Sequence, residues 1–326
     1  MTDEEDAMSL LTNDTAELSM CAFSDDTLGT ASEFDAYSTT FHTQCKAEQE
    51  TVRILNYGSS QAEVFDYVFH GTPGYHRYEA ESGTCQVGWR SGWSTRGLGQ
   101  AAHVARLTEP LARLDSHVRH AFVLLSFGSV DIEWNLSYKR DVLKQDVDTA
   151  AFIEEMICAL ESTVDKIVAQ SKLLIERGGP EVHIVLGFPY IPLPLSDNYL
   201  QVFDAKYGGG SYRVISHDER CKLWHKFCDS SQQRIIAKHP DVQVVDIRQE
   251  FKEQGFAAFM RSPTDEEDHH PDLAKTQHAV AAKVRALRFS TYDGSTVGME
   301  PSLWPHQVMY EHKRRRFPAE NDSSIK

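Results

Sequence analysis

The chain has 326 residues, of which 41% are hydrophobic and 25% charged, with a formal net charge of −15. This is a globular composition, long enough for one large domain or two small ones. No apolar run reaches the ~18 residues of a membrane-spanning helix, and the acidic balance argues against a general nucleic-acid binder, which needs a basic surface.

Residues 1–48 are rich in Ser, Thr, Asp and Glu, and the first fifty hold twelve acidic residues against one lysine. They read as an acidic, disordered arm. Its opening, MTDEEDAM, lacks the basic-then-apolar pattern of a signal peptide, so an intracellular, cytoplasmic location is expected. A short apolar strand, Val52 to Tyr57, then leads through Gly58-Ser59-Ser60 into a helical run from Ala62 to Phe69. The Gly-rich stretch GWRSGWSTRGLG precedes a second helix through Val104, Leu107, Leu111 and Leu114. AFVLLSF, Ala121 to Phe127, is a near-continuous apolar strand. Apolar residues at Ile153, Met156, Ile157, Leu160, Val164, Ile167 and Val168 line one face of a long helix, stopped by Gly178-Gly179-Pro180. VHIVLGF is the next strand, Ser216 with Glu219 has capping-box spacing and opens another helix, VQVVDI is a further strand, and a last helix runs over about 272–287.

Strands buried on both faces and separated by helices imply a parallel sheet covered on both sides. The expected division is an arm over 1–48, one domain over 49–290 and a C-terminal extension over 291–326. That extension carries the basic cluster Lys313-Arg314-Arg315-Arg316, read as a solvated tail, and Trp304, Met309 and Tyr310, which could pack back on the domain. The six cysteines form no C-x-x-C pair, so reduced thiols are expected, with Cys221 and Cys228 on the buried face of one helix.

In a parallel α/β sheet the site lies at the carboxyl ends of the strands. Three clusters fall there in order: Gly58-Ser59-Ser60, Phe127-Gly128-Ser129-Val130-Asp131, and Asp265-Glu266-Glu267-Asp268-His269-His270-Pro271 before the last helix. A serine at a strand-to-helix turn exposes its hydroxyl beside backbone N–H groups that can hold an oxyanion, and a distant histidine can accept its proton. Taken singly, each cluster is more often a turn or a solvated loop. Trp89 and Trp93 read as packing residues rather than a substrate platform.

These residues, as an ordered set over about 50–288, resemble the SGNH (GDSL-like) hydrolase family. The resemblance implies a three-layer α/β/α fold with a mostly parallel five-stranded sheet of flavodoxin-like layout. Gly58-Ser59-Ser60 corresponds to the first block, making Ser60 the nucleophile and its N–H an oxyanion donor. Ser91-Gly92-Trp93-Ser94-Thr95 best matches the second block, with Gly92 as donor and Gly88 as the alternative. Gly128-Ser129-Val130-Asp131 matches the third, and Glu267-Asp268-His269-His270-Pro271 the last, making His270 the base and Glu267, or else Asp268 or Asp265, its orienter. Three positions depart from the family pattern: Ser59 and Glu267 replace aspartates, and Val130 replaces an asparagine that donates to the oxyanion. The third block resembles a divergent branch, F-G-x-[IV]-D, that often lacks this asparagine and includes glycan- or capsule-related proteins. Asn135 is a candidate compensating amide.

The expected function is serine-dependent hydrolysis or acyl transfer on an ester, O-acyl groups of a glycan included, with no cofactor, metal, membrane or nucleic-acid partner. The competing expectation is a degenerate module that keeps the pocket for a glycan or acylated ligand. An α/β-hydrolase elbow would follow several strands rather than the first. No P-loop or G-x-G-x-x-G is present, and the only dense ligand cluster in the sequence is the His269/His270 loop, which rarely suffices for a metal.

Overall fold

The computed structural model describes residues 51–75, 78–81, 84–89, 92–114, 116–205, 209–260 and 269–303. The acidic arm, Asp265, Glu267, Asp268, Trp304, Met309, Tyr310 and the basic cluster lie outside these residues.

The sheet is built from β1 (Val52–Gly58), β4 (His120–Ser126), β5 (Glu181–Phe188) and β6 (Gln243–Asp246), in the order β1-β4-β5-β6. All three pairings are parallel. From Ala121 to Ser126 every residue of β4 is buried, as a strand covered by helices on both faces requires. Two short hairpins stand apart: β2 (Tyr78–Glu81) with β3 (Thr84–Val87), and β7 (Phe289–Ser290) with β8 (Thr296–Val297).

The helices are α1 (Val64–Phe69), α2 (Ala101–Ala112), α3 (Thr149–Glu176), α4 (Asp197–Phe203), α5 (His217–Lys238), α6 (Arg248–Gln254) and α7 (Leu273–Ala286). They fall into two packed groups, α1 with α7 and α3 with α2 and α5, and so make the outer layers. The buried stripe of α3 contains Ile153, Met156, Ile157, Leu160, Val164 and Ile167, the residues their spacing selects, while Val168 is only partly buried. Asp148 caps α3, Ser216 caps α5 and Asp272 caps α7, each through side-chain acceptance of first-turn N–H groups. Among the described residues no helix is long and apolar enough to cross a membrane.

The sheet has four strands, not the five expected. A 2-1-3-4-5 layout places its second strand on the outer edge of the first. Here, among the described residues, that edge carries two single bridges, Ile54 with Tyr75 and Gly58 with Trp89. Between them the chain leaves as the β2–β3 hairpin, which pairs with itself and takes up the backbone groups a fifth strand would have offered to β1.

Beside the main core lies a second apolar cluster of Val130, Trp134 and Tyr212, flanked by Tyr138, Leu195, Tyr199 and Phe203. Its members come from the helix over 129–142, which includes the π-helical stretches Asp131–Asn135 and Tyr138–Val142, and from the long connection between β5 and α5.

Candidate active site

Gly58 ends β1 opposite Ser126, where a Cβ would stand 2.2 Å from the Ser126 carbonyl oxygen. Only glycine lets the two strands close here. Ser59 continues the ladder by donating its N–H to Ser126 O at 3.1 Å, and the chain then turns into a 3-10 turn, Ser60–Glu63, that runs on into α1. Asn56 on β1 fastens that turn by donating from Nδ2 to Ala62 O at 2.9 Å. The turn therefore holds Ser60 half-exposed while Ser59 is buried. The Ser59 hydroxyl shares a hydrogen bond of 2.8 Å with the hydroxyl of Ser129 and so ties the first cluster to the second.

The histidine arrives from the far end of the chain. Asp272 caps α7 by accepting from Ala274 N at 2.9 Å and Lys275 N at 3.2 Å, and donates its own N–H to Phe259 O at 2.7 Å. Pro271 is buried just before it. This fixed entry into α7 sets His270 over the end of β1, with Nε2 2.7 Å from Ser60 Oγ. The neighbouring ring of His269 lies 3.9 Å from that of His270, centroid to centroid, and points elsewhere: its Nδ1 is 2.8 Å from the Tyr199 hydroxyl, and its edge meets Trp134. The second apolar cluster thus forms a wall beside the histidine pair.

Gly128 leaves β4 with φ +110°, and a Cβ there would lie 2.4 Å from the Phe227 ring. That turn starts the helix over 129–142 and sends Val130 into the Trp134 cluster. Asp131 is fully buried and accepts the Thr95 N–H at Oδ2, 2.6 Å away. It therefore holds the loop that carries Gly92, which is itself half-buried at φ +75°. Trp93 anchors the same loop edge-on to Phe127, ring centroids 5.2 Å apart, and Trp89 donates to Asp66 Oδ2 at 2.9 Å, so both tryptophans are engaged in packing and hydrogen bonding. Asn135 is half-buried on the same helix, and among the described residues no hydrogen bond joins it to Ser60 or His270.

Burial pushes the Asp131 carboxyl from the ordinary 3.8 up to about 6, against the Thr95 N–H, which lowers it. The folded protein therefore holds this proton more tightly than the unfolded chain. The stability it contributes is complete below about 3.8 and is lost as pH rises through about 6. Asn in its place keeps an acceptor for Thr95 without the charge. The loss of unfolding free energy between pH 4 and 6, measured in urea, is expected to be smaller in Asp131→Asn than in wild type by on the order of 2 kcal/mol. Equal pH slopes in the two proteins would refute this role for the buried carboxyl.

Sequence reasoning missed Glu133 and Arg220. Both are buried, Arg220 Nη1 is 3.3 Å from Glu133 Oε1, and Arg220 Nη2 donates to Leu193 O at 3.0 Å. Burial drives the Glu133 carboxyl up, while the Arg220 guanidinium and, further down in effect, the His270 ring pull it back. The one sequence signal was an acidic residue inside the otherwise apolar Ile132–Trp134 run.

No protein-family model matches the chain, and no curated protein matches it. Among solved structures it is similar to the extracellular lipase of Streptomyces rimosus, at 14% identity over 72% of this chain and 97% of that one, with a TM-score of 0.37. It is likewise similar to Est24, a carbohydrate acetylesterase of Sinorhizobium meliloti, at 13% identity over 71% and 95%, with a TM-score of 0.35. A third is phospholipase A1 of Streptomyces albidoflavus, at 14% identity over 72% and 98%, with a TM-score of 0.37. None of these likenesses assigns a residue or a substrate to this chain.

Proposed function

We propose that this protein is a serine-dependent hydrolase or acyltransferase that acts on an ester. The observation that carries the reading is the 2.7 Å contact between His270 Nε2 and Ser60 Oγ, two residues 210 positions apart that the sheet and the α7 cap bring into register. A serine hydroxyl is a weak nucleophile until an adjacent base takes its proton. Ser60 Oγ attacks the acyl carbonyl as its proton passes to His270 Nε2, and the same proton then leaves with the alcohol. Water, or an acceptor alcohol, attacks the acyl-serine in the second half. The N–H groups of Ser60 and Gly92 hold the developing oxyanion, and Asp131 keeps the Gly92 loop in place. Glu267, Asp268 or Asp265 orients His270. The substrate panel includes O-acylated glycans beside simple esters.

One observation favours a second reading, a binding protein for a glycan or acylated ligand with an idle serine. Val130 is packed against Trp134 at a position where an amide would donate to the oxyanion, and losing one such donor typically costs about 10²–10³ in rate.

A fluorogenic panel of short-chain esters and O-acetylated sugars separates the two readings. Turnover by the wild type, its loss in Ser60→Ala and its persistence in EDTA are expected. Turnover abolished by EDTA and restored by zinc would overturn the serine reading, and a folded wild type silent on the whole panel would favour the binding protein.

A further inference from the structure

The opposite end of the sheet carries a second cluster of chemistry-bearing side chains. Parallel register pairs His120, the first residue of β4, with Glu181, the first residue of β5. Side chains two apart on a strand share a face, so His183 projects on the same side as Glu181. Parallel pairing keeps His120 on that side too. The three therefore converge by strand geometry alone, and their ligand atoms all lie within 4.8 Å of one another. From His120 to Ser126 the strand advances six residues, about 20 Å at about 3.3 Å each, so the cluster lies at the far end of the sheet from Ser60.

We propose that His120, Glu181 and His183 form a zinc-binding site, separate from the Ser60–His270 pair. His120 Nδ1 and His183 Nε2 are 3.3 Å apart. Two nitrogens bound to one tetrahedral zinc at about 2.0–2.1 Å stand about 3.3–3.4 Å from each other, so the rings already span one edge of the coordination polyhedron. A hydrogen bond between the rings would give the same distance, and the Glu181 carboxylate within 4.8 Å of the ring nitrogens supplies a third ligand. The surroundings resemble those of a built metal site. His183 is buried against the Phe122 and Phe289 rings, with centroids 5.2 and 5.0 Å away, which restricts its orientation. Glu181 is held by the Tyr292 N–H, which donates to Oε1 at 2.9 Å. Such outer contacts orient the ligands of metal sites. His120 and Glu181 are only partly buried, which leaves an entry path and room for a water as fourth ligand. Two imidazoles and a carboxylate suit zinc over magnesium or calcium, which prefer all-oxygen sites.

Protein stripped with a chelator and dialysed is titrated with cobalt(II), a visible reporter of tetrahedral coordination, and then with zinc chloride. One equivalent of cobalt is expected to give a tetrahedral absorption band without sulfur-to-metal charge transfer, and zinc is expected to displace it. His120→Ala should weaken binding by at least ~10²-fold, more than the ~10–100-fold typical of losing an outer-shell partner. Glu181→Gln, which keeps the side chain's shape, should weaken it by at least ~10-fold. The absence of saturable binding would overturn the proposal. So would binding unchanged in both variants, which would locate the ion at the thiols or at His269 and His270. If His120→Ala does not fold, Glu181→Gln decides between the same two outcomes.

Discussion

A fluorophosphonate probe is expected to label this protein at Ser60. Ser60→Ala should abolish labelling, and His270→Ala should slow it by at least ~10²-fold, the scale of a lost general base. The probe's phosphorus accepts the serine oxygen as fluoride leaves, and the proton must go to a base already in contact. His270 Nε2, 2.7 Å from Ser60 Oγ, is in place for that. The adjacent serine and histidine are internal controls. Ser59 is buried with its hydroxyl bonded to Ser129, and His269 turns its Nδ1 to Tyr199. Ser59→Ala and His269→Ala should therefore retain labelling within roughly the ~10²-fold margin set for the base. Labelling at Ser59, or at a rate indifferent to His270, would refute the assignment. Quantitative labelling followed by peptide mass spectrometry reads all four variants.

Arg220→Met is expected to lower the unfolding free energy by about 3–5 kcal/mol at pH 8, the cost of leaving a buried charge without its partner. Methionine keeps the length and apolar stem of Arg220 but strands the Glu133 carboxylate in the interior. The loss should shrink toward pH 5, because a protonated Glu133 carries no charge to be compensated. In the double variant Glu133→Gln/Arg220→Met both charges are gone, and much of the loss should return. The measurement is urea unfolding of the two single variants and the double variant at both pH values. Strict additivity of the two single losses would show that the pair does not act as a unit.

The regular elements were legible because their patterns are local. The near-continuous apolar run from Ala121 to Phe127 reads as a strand covered on both faces, and the periodic residues of α3 matched its buried stripe. The Ser60–His270 contact was legible because Ser60 lies just after a strand and His270 just before a capped helix. The rest depends on pairings that no local window contains. Glu133 and Arg220 are 87 residues apart, and nothing near either one points to its partner. His120 joins Glu181 and His183 only through the β4–β5 register. The fifth strand was expected from family layout, but the turn into the β2–β3 hairpin diverts the chain after one bridge. Val130 looked like a lost donor in the sequence, and in the fold it is a wall of the aromatic cluster beside His269.

The way the chain skirts β1 also bears on solubility. An exposed sheet edge is a template on which a second molecule can add a strand and begin to aggregate. On β1 the Ile54 N–H is already taken by Gly74 O at 2.8 Å, and single bridges at Tyr75 and Trp89 occupy both ends of the edge. An incoming strand finds no unbroken row of free donors and acceptors. At the other side β6 is four residues long, too short to seed an extended ladder. Two bridges and a hairpin therefore guard the sheet against self-association about as a full edge strand would, without offering a new edge of their own to the main sheet.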